Sequence, residues 1–364
     1  MAALISILYT LAFLLLTGHQ VLSIRRVPSL SREIEMRPIS VIVPARNEEE
    51  SIPKLIRCLK RQKADFEAII VDDCSEDSTY EVALREVCGD KRFTVIKTEG
   101  RAGKSSACFS GYLRSRNEIL VFIDADVEFD EYLLCNALAT MRKLNADVIT
   151  LIPKICCKGF FCSVTEIALS SFIRTVFPYW KRSREDAWLF GSFIMIKRDV
   201  YEAVGGHKAV ISSIVEDREL GRILARRGFS VHMVRSNGRL ITCWHEGFSN
   251  VVNSIIRISS FDINVPLVYP VIAAVSVLLA AFIPFLLIIS MDPLVFLPPM
   301  IALYLFSSIS LLLELRVKPF YIIFLPVGAV VLSYSILKSW TDRRRGVPWR
   351  GRVVMRVSDA IKTR

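Results

Sequence analysis

Four acidic side chains stand in pairs that are suited to binding a cation and a phosphate ester. Asp124 and Asp126 form a D-x-D pair directly after an apolar run, and Asp72 and Asp73 follow another such run. Two carboxylates at this spacing can hold a hard divalent cation that also bridges phosphate oxygens. Mg²⁺ and Mn²⁺ use the same oxygen ligands, so Asp124 and Asp126 predict a site for either ion without choosing between them.

A basic segment lies between the two acidic pairs. Arg101-Ala-Gly-Lys104 leads into a predicted helix, and Gly103 with Lys104 supplies flexible backbone, a positive charge and a helix N-terminus. These features suit a diphosphate, although the P-loop pattern G-x-x-x-x-G-K-[ST] is absent. A D-x-D alone is equally well a polar exit from a strand. The combination with Asp72, Asp73 and Lys104 favours a binding site.

A further acidic pair, Glu216-Asp217, opens a predicted helix. Acidic residues in a first helical turn complement the helix dipole, which accounts for the pair without any catalytic role. Alternatively, Asp217 is a general base that removes a proton from a hydroxyl group attacking a sugar. The residues alone leave both interpretations open. Gly191, in a strand-like segment upstream, is a position where the backbone can approach a ligand closely.

The elements that must position these residues alternate between strand and helix. Short β-branched apolar runs predict strands, and runs with apolar residues on one face predict helices. This alternation predicts an α/β fold with a mainly parallel sheet, in which ligands bind at the carboxyl ends of the strands. The predicted strands are 39–43, 68–71, 93–96 and 119–123, and the predicted helices are 48–63, 78–87 and 103–114.

Three polar clusters follow three of these strands, and we expect them to converge on one edge of the sheet. They are Pro44-Ala-Arg-Asn-Glu48, Asp72-Asp73 and Asp124-Ala-Asp126. The carboxyl ends of parallel strands meet at the same edge, so a ligand there would be contacted by all three clusters.

The composition predicts that this soluble domain is joined to membrane segments. Of 364 residues, 52% are hydrophobic and 23% are charged, and the mean hydropathy is +0.41. This mixture excludes disordered, collagen-like and disulfide-scaffold proteins. About 20 apolar residues cross a bilayer core, so four uncharged runs are long enough to span. They are 2–24, 263–291, 293–313 and 319–337.

Basic residues predict the orientation of the first span. The run 2–24 has the length of a signal peptide, but no Lys or Arg precedes it and no A-x-A-like site closes it, so we expect a membrane anchor rather than a cleaved signal peptide. Arg25 and Arg26 follow it, which places the N-terminus outside and the domain in the cytoplasm. A cytoplasmic domain predicts nine free cysteines, with Cys156, Cys157 and Cys162 as packing residues rather than a metal site.

The predicted domain boundaries leave one conflict at the C-terminus. Three spans after a cytoplasmic domain would put the end of the chain outside, yet the tail at 343–352 is strongly basic and should remain inside. One run is therefore re-entrant or interfacial, or the tail is translocated. The predicted parts are an anchor at 1–24, a cytoplasmic domain at 25–262, three apolar segments at 263–338 and a basic tail at 339–364.

The order of the motifs resembles the family-2 inverting glycosyltransferases of GT-A fold, which have a nucleotide-sugar-binding, Rossmann-like sheet. The likeness spans residues 38 to about 220. It extends to the membrane-bound subgroup that glycosylates lipids, including carotenoids, hopanoids and ceramides. The segments that carry it are Val43-Pro-Ala-Arg-Asn-Glu48, Val71-Asp-Asp-Cys-Ser-Glu-Asp-Ser-Thr79, Gly103-Lys-Ser-Ser-Ala-Cys108, Asp124-Ala-Asp126, Gly205-Gly-His-Lys208, Glu216-Asp217 and His245-Glu-Gly-Phe248.

The resemblance implies roles for several of the candidate site residues. Asp217 would be the catalytic base of a one-step inversion, and Asp124 and Asp126 would hold Mg²⁺ or Mn²⁺, Asp126 chiefly. The donor would be a nucleotide sugar, usually a UDP-sugar, and Asp73 with Asp72 or Glu48 would contact its nucleoside. Together with the arguments from the residues themselves, the predicted donor-binding residues are Pro44, Ala45, Arg46, Glu48, Asp72, Asp73, Lys104, Asp124, Asp126 and Gly191. The residues predicted on the acceptor side are His207, Glu216, Trp244, His245 and Arg257.

One departure from the family pattern limits the expected product. Processive relatives carry a Q-x-x-R-W motif before their membrane helices, whereas this chain has Ser254-Ile-Ile-Arg257-Ile258. The missing Gln and Trp predict the transfer of one sugar rather than the synthesis of a polysaccharide. The segment 160–180 is too polar to span and is either a core helix or an amphipathic segment at the membrane interface.

These inferences predict an integral plasma-membrane enzyme, facing the cytoplasm, that moves one hexose to the hydroxyl or carboxylate of a lipid. The alternatives are a polyprenyl-phosphate glycosyl synthase and a non-catalytic membrane scaffold that binds nucleotide sugars. The chain has a net charge of +11, and its excess of basic residues lies beside the predicted spans at both ends. This favours membrane lipids as partners and predicts no nucleic-acid partner. The sugar, the acceptor and the oligomeric state are not determined by the sequence.

Overall fold

The structure is a computed structural model that describes residues 1–100, 102–176, 187–213, 215–244, 247–259, 265–342, 347–349 and 352–354. It divides into two compact units. The sheet unit comprises Pro28–Lys154 and Arg182–Thr242, and the helical unit comprises Met1–Val27, Ile155–Lys181 and Cys243–Arg364.

The elements alternate in the order that the sequence predicts. The helices are α1 (Ala2–Arg26), α2 (Ile52–Lys60), α3 (Thr79–Val87), α4 (Lys104–Arg114), α5 (Leu133–Lys143), α6 (Phe160–Val176), α7 (Arg198–Ala203), α8 (Gly206–Ala209), α9 (Glu216–Arg226), α10 (Phe248–Ile258), α11 (Val268–Leu286), α12 (Pro293–Leu313) and α13 (Leu325–Asp342), with 3₁₀ helices at Leu287–Ser290 and Pro319–Phe324. The strands are β1 (Ile39–Ala45), β2 (Phe66–Asp72), β3 (Phe93–Lys97), β4 (Ile119–Ile123), β5 (Val127–Phe129), β6 (Val148–Ile152), β7 (Lys154–Cys157), β8 (Phe193–Lys197), β9 (Val231–Arg235), β10 (Leu240–Trp244), β11 (Val347–Trp349) and β12 (Arg352–Val354).

A seven-stranded sheet with the order β3-β2-β1-β4-β8-β6-β9 forms the centre of the sheet unit. The pairs β1–β2, β1–β4, β2–β3 and β6–β9 are parallel, whereas β8 is antiparallel to both β4 and β6. The prediction of a mainly parallel sheet is therefore confirmed. Beside this sheet, β5 pairs antiparallel with β10.

Both faces of the sheet are covered by helices, which explains why its strands are continuous apolar runs. Successive side chains point to opposite faces of a strand. Accordingly, Val41 and Val43 belong to one hydrophobic cluster, and Ile42 belongs to the cluster on the other face.

One predicted helix is shorter than its apolar pattern suggested. The sequence predicts a helix at 48–63, but α2 begins at Ile52 and ends at Lys60. The amide of Glu48 donates to Oγ1 of Thr79 over 2.7 Å, and Asn47 has a φ of 51°, so this part of the chain is a loop tied to the start of α3. Pro53 then lies in the first turn, where the absence of its N–H costs nothing.

Among the described residues, four helical stretches of the helical unit are long and apolar enough to cross a membrane, in agreement with the four predicted runs. They are Ala2–Arg26, Val268–Ser290, Pro293–Leu313 and Pro319–Asp342. The helix α6 is a core helix of this unit, because its side chains from Cys162 to Ser171 are all buried. This favours the first of the two interpretations of the segment 160–180; residues 177–180 lie outside the described part.

The expectation of nine free thiols is wrong for one pair of cysteines. Cys157, at the end of β7, and Cys162, in the first turns of α6, are joined in a disulfide. Their Cα atoms lie 5.4 Å apart, which is an ordinary separation for such a bond. The short turn between β7 and α6 brings the two side chains together, a consequence of the fold that cysteine spacing did not reveal.

Candidate active site

The residues directly beyond three parallel strands lie at one edge of the sheet. Strand β1 ends at Ala45, β2 at Asp72 and β4 at Ile123, and β1 is hydrogen-bonded to both of the other strands. The next residues along the chain are Arg46, Asp73 and Asp124. The structure therefore brings the three predicted polar clusters together.

Arg46 fastens the loop after β1 to the loop after β2. Its Nη1 donates to the carbonyl oxygen of Asp73 over 3.0 Å and to that of Cys74, and its Nη2 pairs with Glu76 over 2.8 Å. The Arg46 side chain is only 6% exposed, so it joins the two loops as a buried group. Pro44 and Ala45 are the last residues of β1 and contribute backbone to the same edge.

Asp72 and Asp73 are both buried and have different surroundings. Oδ1 of Asp73 accepts a hydrogen bond from the amide of Gly103 over 2.7 Å, which fixes the start of α4. Oδ1 of Asp72 is buried and has no hydrogen-bond partner among the described residues. An unpaired buried carboxylate oxygen is costly, and a hydroxyl or N–H group of a ligand would satisfy it. This fits the predicted contact with a nucleoside.

Lys104 is at the centre of the acidic residues. Its Nζ lies 2.7 Å from Oδ1 of Asp124 and 2.8 Å from Oε1 of Glu216. Burial alone would lower the pKa of this ammonium, but Asp124, Glu216 and Asp217 together raise its pKa well above the ordinary value. Lys104 is therefore a permanent cation at the N-terminus of α4, as binding to a diphosphate requires.

Both carboxylate oxygens of Asp217 accept backbone hydrogen bonds. The amide of Gly191 donates to Oδ2 over 2.9 Å, and the amide of Arg218 donates to Oδ1 over 2.7 Å. Gly191 cannot be enlarged without disturbance, because a Cβ atom there would lie 2.9 Å from Oδ2 of Asp217 and 2.9 Å from Nζ of Lys104. The site thus requires glycine for space, not for an unusual backbone conformation.

A small cavity joins these groups. Pro44, Lys104, Asp124, Gly191 and Asp217 line it. Cys108 and Phe122 line it as well, and neither was among the predicted site residues. The spacing of four residues between Lys104 and Cys108 on α4, which puts both on one helix face, is the sequence signal for Cys108.

Two residues expected on the acceptor side have other surroundings in the structure. Glu216 contacts Lys104 in the middle of the site, because the first turn of α9 points at the start of α4. His207 is 2% exposed, its Nδ1 lies 3.0 Å from the hydroxyl of Tyr201, and its ring packs on Phe122. Burial lowers the pKa of His207 to about 4, so the ring is neutral. His207 also lines the cavity.

The structure does not test the remaining acceptor candidates. Arg257 lies in α10 of the helical unit. Trp244 ends β10, but its side chain lies outside the described residues, as does all of His245. Their predicted roles stay predictions.

The described residues contain no cluster of three or more His, Cys, Asp or Glu side chains that could hold a metal unaided. Asp124 and Asp126 offer two carboxylates, and Asp126, in the turn after β4, is half-buried. Mg²⁺ and Mn²⁺ keep several waters and bind through few carboxylates together with substrate phosphates. The donor set therefore fits a cation that is completed by the diphosphate.

The comparison with known proteins gives the family of the domain that carries this arrangement of strand ends, lysine and acidic pairs. Residues 40–205 match Glycosyl transferase family 2, so the chain carries a domain of that family. The predictions of a family-2 domain and of a GT-A fold are confirmed.

The chain is similar to named enzymes of carotenoid glycosylation. It is 29% identical over 254 residues to the 4,4'-diaponeurosporenoate glycosyltransferase of Staphylococcus haemolyticus (strain JCSC1435), covering 65% of this chain and 66% of that one. It is 26% identical over 221 residues to the enzyme of the same name from Staphylococcus aureus (strain bovine RF122 / ET3-1), covering 59% of each chain. The chain thus spans 59 to 66% of the length of these relatives.

A solved structure supports the fold. The mannosyltransferase PcManGT from Pyrobaculum calidifontis, in complex with GDP-Man and Mn²⁺, superimposes with a TM-score of 0.52 at 15% identity, covering 94% of this chain and 98% of that chain. At this identity the likeness concerns the fold.

Proposed function

We propose that the chain is a membrane-integral, inverting glycosyltransferase that moves a single hexose from a nucleotide sugar, with a UDP-sugar as the first candidate, to a lipid acceptor. The observation that carries the proposal is the position of Asp217. Its carboxylate is held by two backbone amides and lines the same cavity as Lys104 and Asp124. A fixed base beside a fixed cation is what a single displacement at a sugar carbon needs.

The donor is held by residues of the strand ends. The unpaired oxygen of Asp72 would accept a hydrogen bond from the nucleoside, and Asp73 holds the loop at Gly103 beside it. Lys104 would face the diphosphate. Asp124 and Asp126 would hold Mg²⁺ or Mn²⁺, which when bound neutralises negative charge on the leaving diphosphate.

The transfer is one displacement. The oxygen of the acceptor hydroxyl forms a bond to the anomeric carbon, the bond from that carbon to the diphosphate oxygen breaks, and the hydroxyl proton passes to Asp217. Attack from the face opposite the leaving group inverts the configuration and leaves the enzyme without a covalent intermediate. A carboxylate acceptor has no proton to lose, so the loss of activity expected for Asp217→Asn applies to a hydroxyl acceptor and would not arise with a carboxylate acceptor.

The known relatives support the substrate classes. The structural neighbour was solved with GDP-Man and Mn²⁺, which supports a nucleotide-sugar donor and a divalent cation. The relatives named for a carotenoid acid support an apolar acceptor, and four candidate membrane spans support a location among lipids. Arg25 and Arg26 at the end of α1 support a cytoplasm-facing catalytic domain at the plasma membrane.

The test is a transfer assay with the purified full chain in detergent. Radiolabelled UDP- and GDP-sugars are supplied with Mn²⁺ or Mg²⁺ and total lipid extract of the source cells, and the label is followed into the organic phase. One sugar should enter one lipid, and EDTA should abolish the transfer. Asp217→Asn should abolish it too, whereas Asp65→Asn, which removes an exposed carboxylate from the surface, should not.

Two results would replace this proposal. Nucleotide-sugar binding without transfer from any donor would indicate a non-catalytic scaffold. An acid-labile, phosphorylated product would indicate a polyprenyl-phosphate glycosyl synthase.

A further inference from the structure

Asp124 can pair with the ammonium of Lys104 or with a divalent cation, and the structure shows it in contact with Lys104. The ammonium of Lys104 lies 2.7 Å from its Oδ1, and the other side of the same ammonium lies 2.8 Å from Oε1 of Glu216. The three side chains are 17%, 30% and 11% exposed, in the order Lys104, Asp124, Glu216. At this degree of burial solvent and salt screen the charges weakly.

From this geometry we infer that Lys104 is an internal competitor of the divalent cation for Asp124, and that Glu216 is the positioning residue that keeps the ammonium in the site when Asp124 binds the cation. The inference rests on the metal dependence in the proposed function. It assigns Glu216 to the donor site, not to the acceptor side where the sequence had suggested it.

Charge makes the competition direct. A divalent cation at Asp124 would stand beside the Lys104 ammonium, and two like charges at this distance repel. The diphosphate of the donor removes the conflict, because its oxygens supply negative charge to both cations. Cation binding in the absence of nucleotide should therefore be weak, and nucleotide should strengthen it.

Glu216 and Gly191 limit where Lys104 can go. Glu216 lies in the first turn of α9 and is buried, so its carboxylate stays in place when Asp124 turns to the cation. A Cβ at Gly191 would be 2.9 Å from Nζ, which shows that the ammonium packs directly on this backbone. Lys104 thus remains in the site and keeps one anionic partner.

The test measures Mn²⁺ binding, not catalysis. The full chain in detergent is titrated with Mn²⁺, free Mn²⁺ is followed by its EPR signal, and the titration is repeated with UDP and with GDP. Without nucleotide, Lys104→Gln should bind Mn²⁺ about tenfold more tightly than wild type, because the competing cation is gone. Lys104→Arg keeps the charge and should bind weakly, like wild type. Lys143→Gln, which removes an exposed charge from α5, controls for net charge.

The variant Glu216→Gln tests the inference independently in the same Mn²⁺ titration. The ammonium then has Asp124 as its remaining close carboxylate partner in the described geometry, so Mn²⁺ should bind more weakly than to wild type. Glu219→Gln, one turn along the same helix and paired with Arg222, loses the same charge and should change Mn²⁺ binding less.

The outcomes separate the inference from the proposed function. If Lys104→Gln binds Mn²⁺ alone no more tightly than wild type while nucleotide still promotes binding, the competition is refuted and the metal-dependent function stands. The competition is likewise refuted if Glu216→Gln binds Mn²⁺ as tightly as Glu219→Gln. If no variant binds Mn²⁺ with or without nucleotide, the metal dependence and the inference both fail.

Discussion

The main-chain amide of Gly191 donates a hydrogen bond to Oδ2 of Asp217 over 2.9 Å, and a side-chain carbon on Gly191 would lie 2.9 Å from the same oxygen. The hydrogen bond holds the carboxylate in place. Because a Cβ atom at residue 191 would crowd the same oxygen, this arrangement depends on glycine at that position. Nζ of Lys104 is equally close to that position. One glycine thus sets the places of the proposed base and of the cation that would face the leaving group.

Gly191→Ala should lower kcat by about 100-fold, because a displacement of reacting groups by about 1 Å has an effect of this size. The backbone at Gly191 is not in a region reserved for glycine, so folding should be retained. Steady-state kinetics of lipid glycosylation measures the effect. Gly18→Ala is the matched control, since a Cβ there meets nothing within 4 Å. Unchanged kcat in Gly191→Ala would mean that the position of Asp217 does not limit turnover.

Gly111→Ala should destabilise the protein, against the usual preference of helices for alanine. In an open helix the change gains about 1 kcal/mol, but here the new Cβ would lie 2.5 Å from Cγ2 of Ile42 and 3.0 Å from Cγ2 of Val71. Overpacking of this kind typically costs about 1–3 kcal/mol. Thermal unfolding in detergent should show a lower midpoint than wild type, with Gly18→Ala unchanged or higher. An increased midpoint for Gly111→Ala would show that α4 packs less closely on β1 and β2.

His207 should make the protein less stable as the pH falls from about 6.5 to about 4. Burial lowers the pKa of the folded-state ring to about 4 from 6.5, so in this window the unfolded chain binds a proton that the folded chain does not. The loss should reach on the order of 3 kcal/mol at pH 4. Unfolding midpoints of wild type and His207→Gln are compared across this range. The wild type should show the steeper decline, and parallel curves would mean that the ring is accessible to protons in the folded state.

Glu166 should make the protein less stable as the pH rises, the opposite of the effect of His207. It is 1% exposed, and among the described residues neither carboxylate oxygen has a hydrogen-bond partner. Burial and the nearby Glu314 raise its pKa to about 8 from 4.5. Between these values the folded chain holds a proton that the unfolded chain releases, so stability falls as the pH rises. Glu166→Gln should remove this loss and be more stable at pH 8 by on the order of 4 kcal/mol. Equal midpoints at pH 8 would show that the carboxyl group has found a counter-ion or water.

The sheet and the strand-end residues could be predicted because their signals are local. Buried strands are short runs of β-branched and apolar residues, and parallel strands put the residues that follow them at one edge. Asp72, Asp73 and Asp124 therefore lie at the ends of strands on one edge of the sheet, as expected, and Asp217 of α9 lines one cavity with Asp124.

Other features depend on contacts between distant parts of the chain, which local patterns do not contain. The start of α2 is set by Thr79, and Glu216 contacts Lys104, which is 112 positions earlier. The disulfide between Cys157 and Cys162 depends on the turn that joins β7 to α6. The helix-dipole explanation of Glu216 and Asp217 was sufficient at the level of sequence, and only the three-dimensional arrangement shows that both carboxylates contact other parts of the site.

The most direct test of the proposed mechanism compares kcat and the donor dissociation constant of Asp217→Asn with those of wild type. The substitution preserves shape and removes the base, so kcat should fall by a factor of about 10³ or more, with donor affinity within about threefold of wild type. Asp65→Asn is measured in parallel as the control. If Asp217→Asn turns over at the wild-type rate, Asp217 does not remove the acceptor proton and the proposed mechanism is wrong.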